Sequence, residues 1–234
     1  MKLIFIRHGD PDYERDSLTE KGWKEAALLA KRIAPMQVRD YFCSPLGRAK
    51  DTASLTFKEN GRSAEILEWL REFHIPITDP LTGKTRIPWD LMPAYWTERP
   101  MLYDKDQWML DEVMSTGPEA ERAALVLSGI DELLESYGYK REGNYYRVTD
   151  GNEDTLVFFC HLGVQFVVLS HLFGIAAPIL WQNFFVAPTS VTVVKTEERQ
   201  PGIAAFRCQM LGDISHLYVG NEPFSESGFF IEKQ

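Results

Sequence analysis

The chain has 234 residues, with 25 Lys and Arg against 34 Asp and Glu, a formal net charge of −9. Hydrophobic residues at 44% and charged residues at 25% are ordinary for a globular chain and exclude a disordered or collagen-like polymer. The length fits one domain with an insertion, and the acidity argues against a surface built for nucleic acid or anionic membrane.

Residues 2–6 are a short apolar run, which predicts a strand buried on both faces that stops at Arg7-His8-Gly9. A turn follows at Asp10-Pro11-Asp12. Ser17 or Thr19 can cap the next helix, and Ser17 with Glu20 fits a capping box. Trp23, Ala26, Ala27, Ala30 and Ile33 then recur at helical spacing, and Pro35 marks the stop. Val38 to Cys43 is a second strand candidate. It runs into Ser44-Pro45, read as the N-cap and first position of a helix through Arg48, Thr52 and Leu55. Residues 65–68 fit a short strand.

From 73 to 115 the texture changes: Pro76, Pro80, Pro88, Pro93 and Pro100 interrupt it, with Trp89, Trp96 and Trp108 interspersed. This reads as an inserted excursion within one domain of residues 1–234. A lid over the substrate and a core or dimer surface are equally good readings of it. Gly117-Pro118 opens a long helix that ends near Gly138, and 139–153 reads as a hairpin or loop. Thr155 to Cys160 is the clearest buried strand and ends at His161. A helix from about Val164 to Phe173 stops at Gly174, and Val191–Lys195 and Ala204–Leu211 are later strands. Strands alternating with helices predict an α/β fold, a three-layer sandwich with a mostly parallel central sheet.

Cys43, Cys160 and Cys208 are too few and too scattered for a disulfide framework or a zinc site, so reduced thiols in a cytoplasmic chain are expected. The N-terminal apolar run is too short for a signal peptide, and no apolar stretch of about 18 residues occurs. The chain is therefore expected to be soluble and unprocessed.

Three strand candidates deliver polar residues just past their last apolar position: Arg7 and His8, then Ser44 and Arg48, then His161. Ligands of open α/β sheets bind outside the carboxyl ends of the strands, so two arginines and two histidines are expected at one edge, which suits a phosphate. Arg48 in the first turn of its helix adds a guanidinium to free backbone N–H groups, and the Leu162 and Gly163 amides after His161 offer a second helix start. His74, His171 and His216 read as structural, and no His spacing suggests a metal.

These segments resemble the histidine phosphatase superfamily, the phosphoglycerate mutase-like proteins. The matches are Arg7-His8-Gly9, the run from Asp16 to Gly22, the run from Ser44 to Ala53, Leu70-Arg71-Glu72-Phe73 and Phe159-Cys160-His161-Leu162-Gly163, with Ser215-His216-Leu217 like a late element. The resemblance implies that His8 is a nucleophile that becomes a phosphohistidine, and that it must be neutral, which Arg7 and Arg48 favour. It implies that Arg7, Arg48 and His161, with Leu162, hold the phosphoryl oxygens. Glu72 is implied as the general acid, with Glu68 four residues away as the alternative carboxylate. No metal or other cofactor is implied, and the partner is a small phosphorylated substrate, with a homodimer left open. The short loop Asp10-Pro11-Asp12-Tyr13 and the sequence Phe73-His74-Ile75-Pro76 depart from the mutase pattern and favour a hydrolase. A phosphotransferase and a catalytically silent phosphate-binding module are the other readings. Leu162 stands where the family commonly has Gly. Lys84, Arg86 and Arg99 are candidates for a second anion, and Trp89, Trp96 or Trp108 for stacking on a ring.

Overall fold

A computed structural model describes residues 1–229. The first strand, β1 (Lys2–Arg7), is followed by a small hairpin of β2 (Pro11–Asp12) and β3 (Ser17–Leu18) and by helix α1 (Glu20–Ile33). Next come β4 (Asp40–Cys43), α2 (Gly47–Asn60) and β5 (Glu65–Ile66). The Pro- and Trp-rich segment carries only a two-residue hairpin, β6 (Ile77–Thr78) with β7 (Thr85–Arg86), one short helix, α3 (Pro93–Trp96), and single 3-10 turns. The chain then forms α4 (Glu119–Ser136), the hairpin β8 (Tyr139–Glu142) and β9 (Tyr145–Val148), β10 (Thr155–Cys160), α5 (Leu162–Phe173) and α6 (Ala177–Asn183). Strands β11 (Val191–Gln200) and β12 (Ile203–Asp213) and helix α7 (Ser215–Val219) complete it.

Eight strands form one sheet in the order β5-β4-β10-β1-β11-β12-β9-β8. The first four are mutually parallel. The remaining pairings are antiparallel. The sheet is thus parallel through the half that delivers Arg7, Ser44 and His161, and mixed as a whole, because the long β11–β12 hairpin and the β8–β9 hairpin extend it by direct reversal.

Strand β1 explains the three layers. Leu3 and Phe5 face one core together with α4 and α5, and Ile4 and Ile6 face another with α1 and α2. Strand β10 repeats the alternation, with Phe158 on the first side and Val157 and Phe159 on the second. A strand covered on both faces has no position for a polar residue, which is why both read as continuous apolar runs. Each such side chain contributes about 1.5–3 kcal/mol of burial.

Of the two cap candidates for α1 the structure selects Thr19, and the start of α2 departs from expectation. The N-cap of α1 is Thr19, whose hydroxyl accepts from Gly22 N–H at 3.0 Å, while Ser17 Oγ donates to Asp51. Helix α2 begins at Gly47 rather than at Pro45, and its cap, Leu46, has no side-chain acceptor. The acceptor is Asp16 instead, far back in the chain, whose Oδ2 receives Gly47 N–H at 2.6 Å. Ser44 is not a helix cap because its hydroxyl faces His161.

Candidate active site

The carboxyl ends of β1, β4 and β10 open on a cavity of about 470 Å³ lined by Arg7, His8, Tyr13, Arg48, Glu72, His74 and Leu162 among others. His8 lines it, and the fully buried His161 stands beside His8 with ring centroids 5.0 Å apart. Arg7, His8 and His161 close or directly follow ladder-paired strands, and Arg48 and Leu162 sit in the first turns of helices, so the backbone fixes where these side chains start.

His8 is buried, and its Nδ1 lies 2.7 Å from Gly9 O. A carbonyl only accepts, so Nδ1 carries the hydrogen, and the lone pair is on Nε2. Burial first, then Arg7 and Arg48, holds its pKa well below the usual 6.5, so the ring is neutral. The arginines anticipated from sequence are therefore the second cause and burial the larger one. Behind the ring, Thr189 adopts φ +58° and donates its N–H to the carbonyls of both Arg7 and His8. Thr189 Oγ1 in turn accepts from His216 Nε2 at 3.1 Å. Burial, with Arg32 next, lowers His216 to about 4, so it is a neutral brace, in keeping with its structural reading.

Arg7 Nη1 donates to Val186 O and Nη2 to Ser227 O, both at 2.7 Å. Two carbonyls aim the guanidinium and leave its other N–H groups for an anion. Arg48 is aimed differently: Nη1 donates to Asp16 Oδ1 at 2.6 Å, and the guanidinium lies over the Tyr13 ring at 5.5 Å. Asp16 reaches this place with φ +48°, and a Cβ on Gly47 would collide with its carbonyl oxygen. His161 Nε2 lies 2.6 Å from Ser44 Oγ, which also accepts from Leu46 N–H. That hydroxyl can donate to Nε2, which assigns the ring hydrogen to the unpartnered Nδ1. Burial and the neighbouring His8, Arg48 and Arg7 lower the pKa of His161 well below 6.5.

Glu72 lines the cavity from above. Its Oε1 accepts from Phe73 N–H at 2.7 Å and Val164 N–H at 3.0 Å, and Oε2 accepts from Gly163 N–H at 3.3 Å. The carboxylate therefore occupies much of the α5 helix start, where the backbone favours negative charge. This corrects the expectation that the Gly163 amide faces an incoming anion; Leu162 N–H has no acceptor among the described residues. Glu68 lies outside, paired with Arg71 in solvent at 3.2 Å. Asp10 holds the loop to two elements, its carboxylate accepting from Thr19 Oγ1 at 2.7 Å and from Ser225 Oγ. Its own N–H donates to buried Glu25 at 2.9 Å.

Several contributors are absent from the sequence reading. Asp16, Ser44 as a partner of His161, the carbonyls of Val186 and Ser227, and Glu25 all act through contacts between residues remote in sequence. His74, read as structural, is on the cavity rim with its ring edge-on to Trp89. His171 is structural and bonds Asp131 at 2.8 Å, far from this cavity. Of the cations proposed for a second anion, Arg86 is paired with Asp79 and Asp90, and Arg99 with Asp111 and Glu112. Trp108 is buried against Phe73 and Trp181, and Trp96 packs on Tyr103, so of the three candidates Trp89 is the one at the cavity.

The family profile described as histidine phosphatase superfamily (branch 1) matches residues 3–137. A protein of Schizosaccharomyces pombe named as a probable phosphatase is 25% identical, with 93% of this chain and 95% of that protein covered. A mycobacterial glucosyl-3-phosphoglycerate phosphatase shares the fold with TM-score 0.60 at 18% identity, over 90% of this chain and 98% of its own. A phosphoserine phosphatase variant of Entamoeba histolytica superimposes with TM-score 0.59 at 19% identity, covering 92% and 98%.

Proposed function

This chain belongs to the histidine phosphatase superfamily and is a phosphatase of that family, and we propose that it hydrolyses a small phosphomonoester through a phosphohistidine on His8. The observation that carries the reading is the His8 tautomer: a neutral ring whose Nδ1–H is tied to Gly9 O, with Nε2 left as the nucleophile.

The phosphoryl group sits between Arg7, Arg48, the Nδ1–H of His161 and the Leu162 amide, which hold the oxygens over which transition-state charge spreads. His8 Nε2 forms the N–P bond as the ester P–O bond breaks. The leaving oxygen takes its proton from the protonated form of Glu72, on the cavity wall, which leaves the carboxylate that the three backbone N–H groups hold. In the second half, water attacks phosphorus, Glu72 removes its proton, and the N–P bond breaks to release inorganic phosphate and restore His8. The two guanidinium groups supply the positive charge that a metal supplies in other phosphatases. The three unpaired thiols suit a reducing compartment, which supports a cytoplasmic setting.

His8→Ala is expected to lower hydrolysis of an aryl phosphate at least about a thousandfold with an unchanged far-UV spectrum. A chelator is expected to leave the wild-type rate intact. Phosphohistidine should be trapped in wild type by a rapid quench at alkaline pH. Retained turnover in His8→Ala overturns the mechanism, and an isomerised phosphoglycerate in excess of free phosphate would turn the assignment to a mutase.

A further inference from the structure

A second cavity of about 470 Å³ opens beside the first and shares Trp89, Leu162 and Gly228 with it. Its walls are aromatic. Trp89 and Trp181 pack together at 6.1 Å on one side, and Phe185 meets Phe229 edge-on at 5.0 Å on another. Phe184 and Phe229 are left 45% and 54% exposed, so apolar ring surface faces the opening. A Cβ on Gly163 would collide with the Trp89 ring, so this glycine allows the indole to close against the helix that begins at Leu162.

The charge of this second cavity differs from that of the first. Its one titratable lining residue is Asp90, and Arg86 holds that carboxylate at 2.8 Å. No Lys, Arg or His lines it among the described residues. Its polar side chains, besides Asp90 and the Trp89 indole N–H, are two amides that each spend one N–H on the backbone: Gln182 Nε2 donates to Pro88 O, and Asn183 Nδ2 to Ile179 O. Each keeps a carbonyl oxygen and a second N–H, so the rim can both accept from and donate to an uncharged polar group.

We infer that this cavity receives the alcohol half of the substrate, and that this half is an uncharged, flat, unsaturated ring. The inference rests on the phosphatase reading for the position of the phosphoryl group and adds the chemistry of what the phosphate is attached to. A leaving group with a carboxylate or second phosphate is disfavoured, because it would enter a largely apolar site whose lining has no cation to pair with it. A ring is favoured because flat π surfaces gain from offset or edge-on contact with the indoles and phenyl groups beyond the area they bury. The volume lies in the range of small-ligand pockets, about 300–1,000 Å³.

The test compares alkyl phosphates whose leaving alcohols are similarly basic: 2-(indol-3-yl)ethyl phosphate and ethyl phosphate, with 3-phosphoglycerate and glucose 6-phosphate alongside. The indolyl ester is expected to exceed ethyl phosphate at least about tenfold in kcat/KM, mainly through KM. In Phe184→Ala combined with Phe229→Ala, two exposed positions, that ratio is expected to fall toward one. Asn183→Lys, which adds a cation at the rim, is expected to raise 3-phosphoglycerate relative to the indolyl ester. A ratio near one in wild type, or a preference for 3-phosphoglycerate or glucose 6-phosphate, overturns the inference. If no ester is hydrolysed, the phosphatase mechanism is what has failed. Calorimetric affinities of wild type for the same esters then decide the pocket separately: tighter binding of the indolyl ester supports it, and equal binding overturns it.

Discussion

The phosphate cradle and segment 73–115 lie side by side and are held by opposite means. In the cradle, backbone ladders of β1, β4 and β10 place Arg7, Ser44 and His161, and the side chains are then free to be chosen for chemistry. The segment has almost no ladder, only the two-residue pairing of β6 with β7. It is held by its side chains, with Trp89, Leu102, Trp108 and Met114 inserted in the core and with the Arg86 and Arg99 ion pairs at its edges. Polar residues at a cradle position cost little because the backbone already determines the geometry. In the segment the same replacement removes the fastening itself.

The contrast makes the two regions fail differently. Arg48→Ala should lower kcat about 100- to 1,000-fold while the melting temperature changes little, since it removes donors to the developing charge but no core contact. Trp108→Ala should do the reverse, with a stability loss of about 3–5 kcal/mol in a urea titration and only a small change in kcat per folded molecule. Equal damage to kcat from both variants would erase the distinction.

Two smaller effects sharpen it from within the cradle. Burial raises Glu25 from 4.5 to about 7, so the folded state holds a proton that the unfolded chain releases. That stability is fully present below about pH 4.5 and is lost as pH rises through about 7. Glu25→Gln keeps an acceptor for Asp10 N–H without the buried charge. Its thermal unfolding should be raised relative to wild type at pH 8, by about 1–3 kcal/mol, and should match wild type near pH 4.5. A stabilisation equal at both pH values would refute the burial account. Asp16→Ala should lower kcat/KM about tenfold by freeing Arg48, with Arg48 itself intact. Added guanidinium should not restore the rate, because the missing element is aim and not charge.

The same division explains what the sequence reveals. Strands such as residues 2–6 and 155–160 announce themselves because burial on both faces admits only apolar residues, and the catalytic candidates follow at their ends. His8, Arg48 and His161 are legible from type and position together. Asp16 is not, since its two acceptors meet Gly47 and Arg48 only after α2 has docked on the β2–β3 hairpin. Neither is the second cavity, whose walls come from residues near 89, 181 and 229 that no local pattern connects. The start of α2 is misread for a similar reason: Ser44-Pro45 has the local signature of a cap, and the tertiary bond from Ser44 to His161 overrides it.

Arg7 Nη2 and Ser227 O are bonded across a separation of 220 residues. A contact of that span closes nearly the whole chain into a loop, and contacts of high sequence separation are those that folding completes slowly. Refolding should therefore show helix and sheet signals returning ahead of phosphatase turnover. The phosphate site becomes competent only when the chain's distant ends have met, so turnover reports completed assembly where circular dichroism reports only its framework.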